Sequence, residues 1–133
     1  MEEFGNKINI KVKTSINKTE NIEKITNAVE NIVKIKYITT DMEIIGTTDN
    51  YRELKNLYEV FRNKQTTHIA RKVLLKNLQE NTSQILFNKQ AAAVNSIVIC
   101  DKMNESPLGP IIMEIDTTDI EEFIDWFVPK HTT

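Results

Sequence analysis

The chain has 133 residues, 40% of them hydrophobic and 27% charged, with a formal net charge of −2. These figures fit one globular domain and exclude a disordered chain. A single cysteine, Cys100, excludes a disulfide framework. No apolar run approaches the roughly 18 residues of a membrane span. Met1 to Asn6 is acidic and polar, without the apolar core of a secretion signal, so a cytoplasmic protein with no membrane partner is expected.

Asn6 to Thr14 alternates, with Ile8, Ile10 and Val12 on one side and Lys7, Asn9, Lys11 and Lys13 on the other, and reads as a half-buried strand. Thr19 is placed to cap a helix reaching Ile32, with Ile22, Ile25, Val29 and Ile32 on one stripe. Val33 to Thr39 alternates again. A tight turn at Thr40-Asp41 would return Met42 to Thr47 as its antiparallel partner, with Ile38 and Ile45 on a face that is neither clean core nor clean surface. Such a face is either half covered, by a partner subunit or a ligand, or simply exposes single isoleucines. Gly46-Thr47-Thr48-Asp49 leads into a helix from Asn50 to Asn63, whose Leu54, Leu57, Tyr58 and Phe61 share one side.

Phe61 to Ala93 carries the main local excess of positive charge. From Arg52 to Lys76 the basic residues Arg52, Lys55, Arg62, Lys64, Arg71, Lys72 and Lys76 face only Glu53 and Glu59. On a helix from His68 to Gln79, Ile69, Ala70, Val73, Leu74 and Leu78 span one half, while His68, Lys72, Lys76 and Gln79 cluster on the other. Such a stripe is either a solvated face with snorkelling stems or a row of phosphate contacts that releases counterions from a polyanion. After a polar turn at Glu80 to Ser83 come a strand at Gln84 to Phe87, a small-residue segment at Lys89 to Val94, a strand near Ser96 to Cys100, a loop to Pro110, and a strand at Ile111 to Asp116. Asn88, Lys89 and Gln90 follow a strand directly. They could project from a rigid corner to read phosphate, 2′-hydroxyl or base edges, or Asn88 and Gln90 could satisfy backbone groups at the strand end. Thr118 and Glu121 have capping-box spacing before a last helix carrying Ile120, Phe123, Ile124 and Phe127. From Asp101 to Asp125, eight acidic residues face Lys102 alone, so the chain is bipolar in charge.

Catalytic signatures are absent from this wording. Gly5, Gly46 and Gly109 lie too far apart for a phosphate-binding loop. His68 and His131 with a buried cysteine do not make a metal site. Glu121, Glu122 and Asp125 share part of a helix surface without the burial an acid/base pair needs. No cofactor, metal or small-molecule ligand is expected, and no catalytic residue is assigned. One domain over residues 1–133 is expected, with 1–6 and 130–133 as frayed tails.

Four stretches resemble, in order and spacing, the uncharacterised archaeal protein family numbered 0201: Ile69-Ala70-Arg71, Phe87-Asn88-Lys89-Gln90-Ala91-Ala92, Ser106-Pro107-Leu108-Gly109-Pro110-Ile111, and Ile124-Asp125-Trp126-Phe127-Val128-Pro129. The resemblance implies a two-layer α+β fold similar to the ribosomal protein L-five group, with a mixed sheet of five or six strands and helices mainly on one face. It also implies an archaeal cytoplasm and, through fold analogy to a relative described as a predicted exosome subunit, RNA as the partner. The sequence therefore points to a non-catalytic RNA-binding protein using Arg62, Lys64, His68, Arg71, Lys72, Lys76, Asn88, Lys89 and Gln90. The alternative is an interaction or homodimerisation module acting through the sheet face around Ile38 and Ile45.

Overall fold

The computed structural model of the chain describes residues 1–103, 105 and 108–130. His131 and part of the Ser106 to Pro110 loop lie outside the described residues. Strand β1 (Ile8–Ser15) buries Ile8, Ile10, Val12 and Thr14, as its alternation requires. Helix α1 (Ile22–Ile32) buries Ile25, Ala28, Val29 and Ile32. Its cap is Asn21, whose side-chain oxygen accepts from the Lys24 amide at 3.2 Å, two residues beyond the expected Thr19.

The expected hairpin shrinks. Strand β2 is only Ile38–Thr39 and pairs with β3 (Glu43–Thr48) through Ile38 opposite Ile45 and Thr39 opposite Ile44. Val33 to Tyr37 is not strand, because Tyr37 turns back onto α1. Its hydroxyl donates to the carbonyls of Val33 at 2.6 Å and Val29 at 3.1 Å. Gly46 makes room for that crossing, since a Cβ there would lie 2.7 Å from Tyr37 Cδ1 and 2.8 Å from the Lys36 carbonyl.

The expected helix from Asn50 to Asn63 is divided into a 3-10 turn (Tyr51–Leu54) and α2 (Lys55–Val60). Helix α3 (Lys64–Lys76) follows, then β4 (Thr82–Asn88), α4 (Lys89–Ala93), β5 (Ile99–Cys100), β6 (Pro110–Thr117) and α5 (Ile120–Phe127). The cap of α5 is Asp119, accepting from the Glu122 amide at 3.0 Å, and not Thr118.

The six strands form one sheet in the order β2-β3-β1-β6-β4-β5. Every pairing is antiparallel, which corrects the expected mixed sheet while keeping the α+β class. Strands β1 and β4 do run the same way, but β6 inserts between them and is antiparallel to both. A parallel ladder therefore never forms. Inward residues of β1, β3, β4 and β6 join those of α1, α2, α3 and α5 in one hydrophobic cluster. The helices thus cover one face of the sheet. On the other face stand Lys11, Lys13, Ile45, Ile112 and Glu114, all outside that cluster.

The amino-terminal segment touches α5 through Phe4 and Glu2. Phe4 is 5% exposed and makes edge contacts with Phe123 and Tyr51 beside the tilted Trp126 ring. The Trp126 indole N–H donates to the Glu2 carbonyl at 3.0 Å. None of the described helices is long and apolar enough to cross a membrane.

Candidate nucleic-acid interface

Helix α3 begins four residues before its expected start because Asn63 is an N-cap, its side-chain oxygen accepting from the amides of Gln65 at 3.1 Å and Thr66 at 3.3 Å. Buried Thr67 anchors the first turn by donating to the carbonyls of Phe61 and Asn63. The helix buries Thr67, Ala70, Val73 and Leu74 against the sheet. Ile69, counted inward on a half-wheel, is 50% exposed, so the apolar stripe is narrower than the sequence suggested.

The outward ridge carries Lys64, His68, Lys72 and Lys76, one every four residues and all exposed. At 1.5 Å rise per residue the steps are about 6 Å. Lys64 and His68 also line a shallow depression of about 820 Å³ with Gln65, Ile69, Arg71, Pro129 and Lys130. Lys130, assigned to a frayed tail, thus sits at the same rim. Only its position after Pro129 hinted at a fixed direction for the chain there.

The other cations are engaged within the fold. Arg71, only 22% exposed at its side chain, pairs with Asp125 at 2.9 Å and donates to the Val128 carbonyl at 3.1 Å. The Arg62 guanidinium lies 3.9 Å over the Tyr58 ring and donates to the Phe127 carbonyl. Both fasten the end of α5 to the helical layer. Lys76 pairs with Asp101 at 3.2 Å, but both side chains are about half exposed, so this contact is weak and exchangeable.

The corner at Asn88 to Gln90 is chiefly structural. Asn88 caps α4, its side-chain oxygen accepting from the Ala91 amide at 2.8 Å. Lys89 was expected to project; it is instead 2% exposed. Its ammonium donates to the carbonyls of Ser15 at 2.8 Å and Leu108 at 2.9 Å and to the Glu20 carboxylate at 3.0 Å. The physical reason is the loop before β6, which needs a donor for its carbonyls where it crosses the end of β1. Gly109, at φ +82°, permits the tight approach to Ser15. Glu20 also accepts from the Asn17 side chain at 2.6 Å and the Asn17 amide at 3.1 Å. Burial alone would push its carboxyl pKa up, but the donors Asn17 and Lys89 outweigh burial and hold it below the ordinary carboxylate value. No local spacing in the sequence brings Asn17 and Glu20 to Lys89, which lies about 70 residues away. Gln90 is exposed, beside Lys24 and Val94 in a separate depression of about 310 Å³. Cys100 is buried. Desolvation, with Glu105 adding to it, raises its thiol pKa, as for an inert thiol.

The four stretches that carried the family resemblance therefore meet as two clamps: Arg71 on Asp125 and Val128, and Lys89 on Leu108. Comparison with known proteins agrees. Residues 9–117 match a family model described as RNA binding. A UPF0201 protein of Methanothermobacter thermautotrophicus is 33% identical over 120 residues, 90% of each chain. One from Sulfolobus acidocaldarius is 32% identical over 124 residues, 90% of this chain and 86% of that one. The crystal structure of the UPF0201 protein from Methanococcus jannaschii superposes with a TM-score of 0.77 at 27% identity, covering 93% of this chain and 95% of that one. The chain belongs to the archaeal UPF0201 family.

Proposed function

We propose that this protein binds RNA without catalysing a reaction, through the α3 ridge of Lys64, His68, Lys72 and Lys76 extended by Lys130. The observation that carries the reading is the ridge itself: four exposed polar or basic side chains at regular steps of about 6 Å. Lys64 and Lys72 have no ion-pair partner among the described residues. They are held on a helix whose backbone is already ordered, so binding a phosphate costs side-chain rotamer freedom only. His68, between them, offers ring N–H donors and an aromatic face on which an unpaired base can stack. The RNA-binding description of the matching family model supports the same reading. Kinship to the ribosomal protein L-five group and a cytoplasmic setting belong to this proposal as well. Lys89 and Asn88 drop out of the contact set, and Arg62 and Arg71 serve mainly to hold the α5 end beneath it.

Four phosphate contacts, from Lys64, Lys72, Lys76 and Lys130, give a log-log salt slope of roughly −2.8 on single-stranded RNA, at about −0.7 per contact. The test is filter binding to total cellular RNA at two salt concentrations, with the natural chain and with Lys64→Glu/Lys72→Glu. Arg71 is left untouched because changing it would loosen the α5 clamp. The double reversal should abolish retention while the thermal melt stays put. Retention indifferent to both salt and the reversal refutes the reading.

A further inference from the structure

The sheet face away from the helices has a charge order of its own. Facing that way, β1 presents Lys11 and Lys13, and its neighbour β6 presents Glu114 and Asp116. Lys11 stands directly opposite Glu114, whose carboxylate also pairs within the chain with the half-exposed Lys13 at 3.2 Å, and Asn9 stands opposite Asp116. One row further, the register runs across the sheet from Ile38 to Ile45, Lys13, Ile112, Leu86 and Cys100. Leu86 and Cys100 are buried within the chain, whereas Ile38 is 69% exposed and Met42, at the β2 to β3 turn, 77%. A basic strand thus lies beside an acidic strand, with exposed apolar residues at one end of the face.

We infer that this face docks a second copy of the same chain about a two-fold axis parallel to the strands and passing between β1 and β6. That rotation places β1 of one copy over β6 of the other, so Lys11 meets the partner's Glu114 and Asn9 the partner's Asp116, each contact occurring twice. The other face-to-face two-fold, perpendicular to the strands, would lay lysines on lysines and carboxylates on carboxylates. Charge therefore selects the first arrangement. Twisted sheets related by the first axis remain equally spaced, so aligned face-to-face packing needs no unbending. The four long strands, about 4.8 Å apart and roughly 24 Å long, with the two-residue β2 and β5 at the edges, offer on the order of 500 Å² per copy. That is the size of a weak, concentration-dependent contact, below the roughly 800 Å² per partner of a standard interface. The RNA-binding ridge on α3 lies in the opposite layer and stays free in such a dimer.

The experiment is size-exclusion chromatography with light scattering on the full chain across a concentration series. A dimer at twice the 15.4 kDa of one chain is expected. Lys11→Glu alone and Glu114→Lys alone should each raise the dissociation constant at least about tenfold, and Lys11→Glu with Glu114→Lys should restore it. Should a single reversal fail to fold, zero-length cross-linking of mixed isotopically light and heavy natural chains takes its place. Lys11 of one copy must then join Glu114 of the other. A monomer at every concentration overturns the inference, as does a dimer indifferent to both reversals or one whose Lys11 to Glu114 cross-links are all within one chain.

Discussion

Replacing Lys89 with Met removes a buried ammonium and leaves the rest of its shell in place. The Glu20 side chain, 7% exposed, keeps its charge with only the Asn17 donors. The Ser15 carbonyl loses the donor that Lys89 gave it, and the Leu108 carbonyl keeps only the Asn17 side-chain Nδ2 at 3.0 Å. Breaking a buried pair from one side costs about 3 to 5 kcal/mol, against a typical folding free energy of roughly 5 to 15 kcal/mol. A domain of this size loses about 4 °C of melting temperature per kcal/mol, so Lys89→Met should melt at least ~10 °C lower by circular dichroism. Glu20→Met should cost a similar amount. The double change, which replaces the pair by apolar volume, should cost less than the two singles together by at least about 1.5 kcal/mol, the signature of direct coupling. Urea unfolding of the four proteins measures all three quantities. A Lys89→Met cost below about 1 kcal/mol, or strict additivity in the double, would refute the account of Lys89 as the lock of this corner.

Three further outcomes follow from other contacts. Glu20 has a folded pKa below its ordinary 4.5, so its carboxylate stabilises the fold above about pH 4.5, and that stabilisation fades as pH falls through the lower folded value. Urea titrations between pH 5 and acid should show stability dropping in that window, with a shallower drop in Glu20→Gln. Arg71→Ala should cost about 1 to 2 kcal/mol, since Asp125 is 67% exposed and its pairing with Arg71 weak, while the bond to Val128 is the stronger loss; hydrogen exchange should localise the loosening to α5. Gly46→Ala should cost about 2 kcal/mol or more in chemical unfolding. Tyr37→Ala should not rescue it, because one of the two closest atoms is the Lys36 backbone carbonyl.

The fold was largely legible where burial has a period. The alternation in β1 and most apolar residues of α1, α3 and α5 placed the core, with Ile22 and Ile69 exposed instead, since a side chain's partition between water and core is decided by its own position on a strand or helix. Legibility failed where one side chain reached across the chain. Tyr37 has strand-like neighbours, but its hydroxyl finds α1 carbonyls that no window of sequence reveals. Lys89 follows a strand and precedes small residues, which suits a projecting cation as well as a buried one. Only the loop from β5 to β6, crossing the end of β1, decides between them. Asn63 escapes notice as a cap because the apolar and polar faces separate only from His68 onward, one turn after the helix starts at Lys64.

The same distinction bears on where a ligand is to be sought. Arg71 and Lys89 stand in the stretches by which the family is recognised, and each is bound to another such stretch. Arg71 holds the Asp125 to Val128 segment, and Lys89 holds the loop at Leu108. Their charges are answered by partners inside the chain, so those words describe how the sheet and helices are locked together. A cation that binds RNA must keep its charge unanswered until the RNA arrives, and a residue meeting that condition makes no contact that fixes the residues around it. Lys64, His68 and Lys72 meet it, and all three lie outside the recognisable stretches. The resemblance therefore identifies the scaffold, while the exposed ridge it supports carries the functional proposal, and charge reversal on that ridge separates binding from folding in a way that no change at Arg71 or Lys89 can.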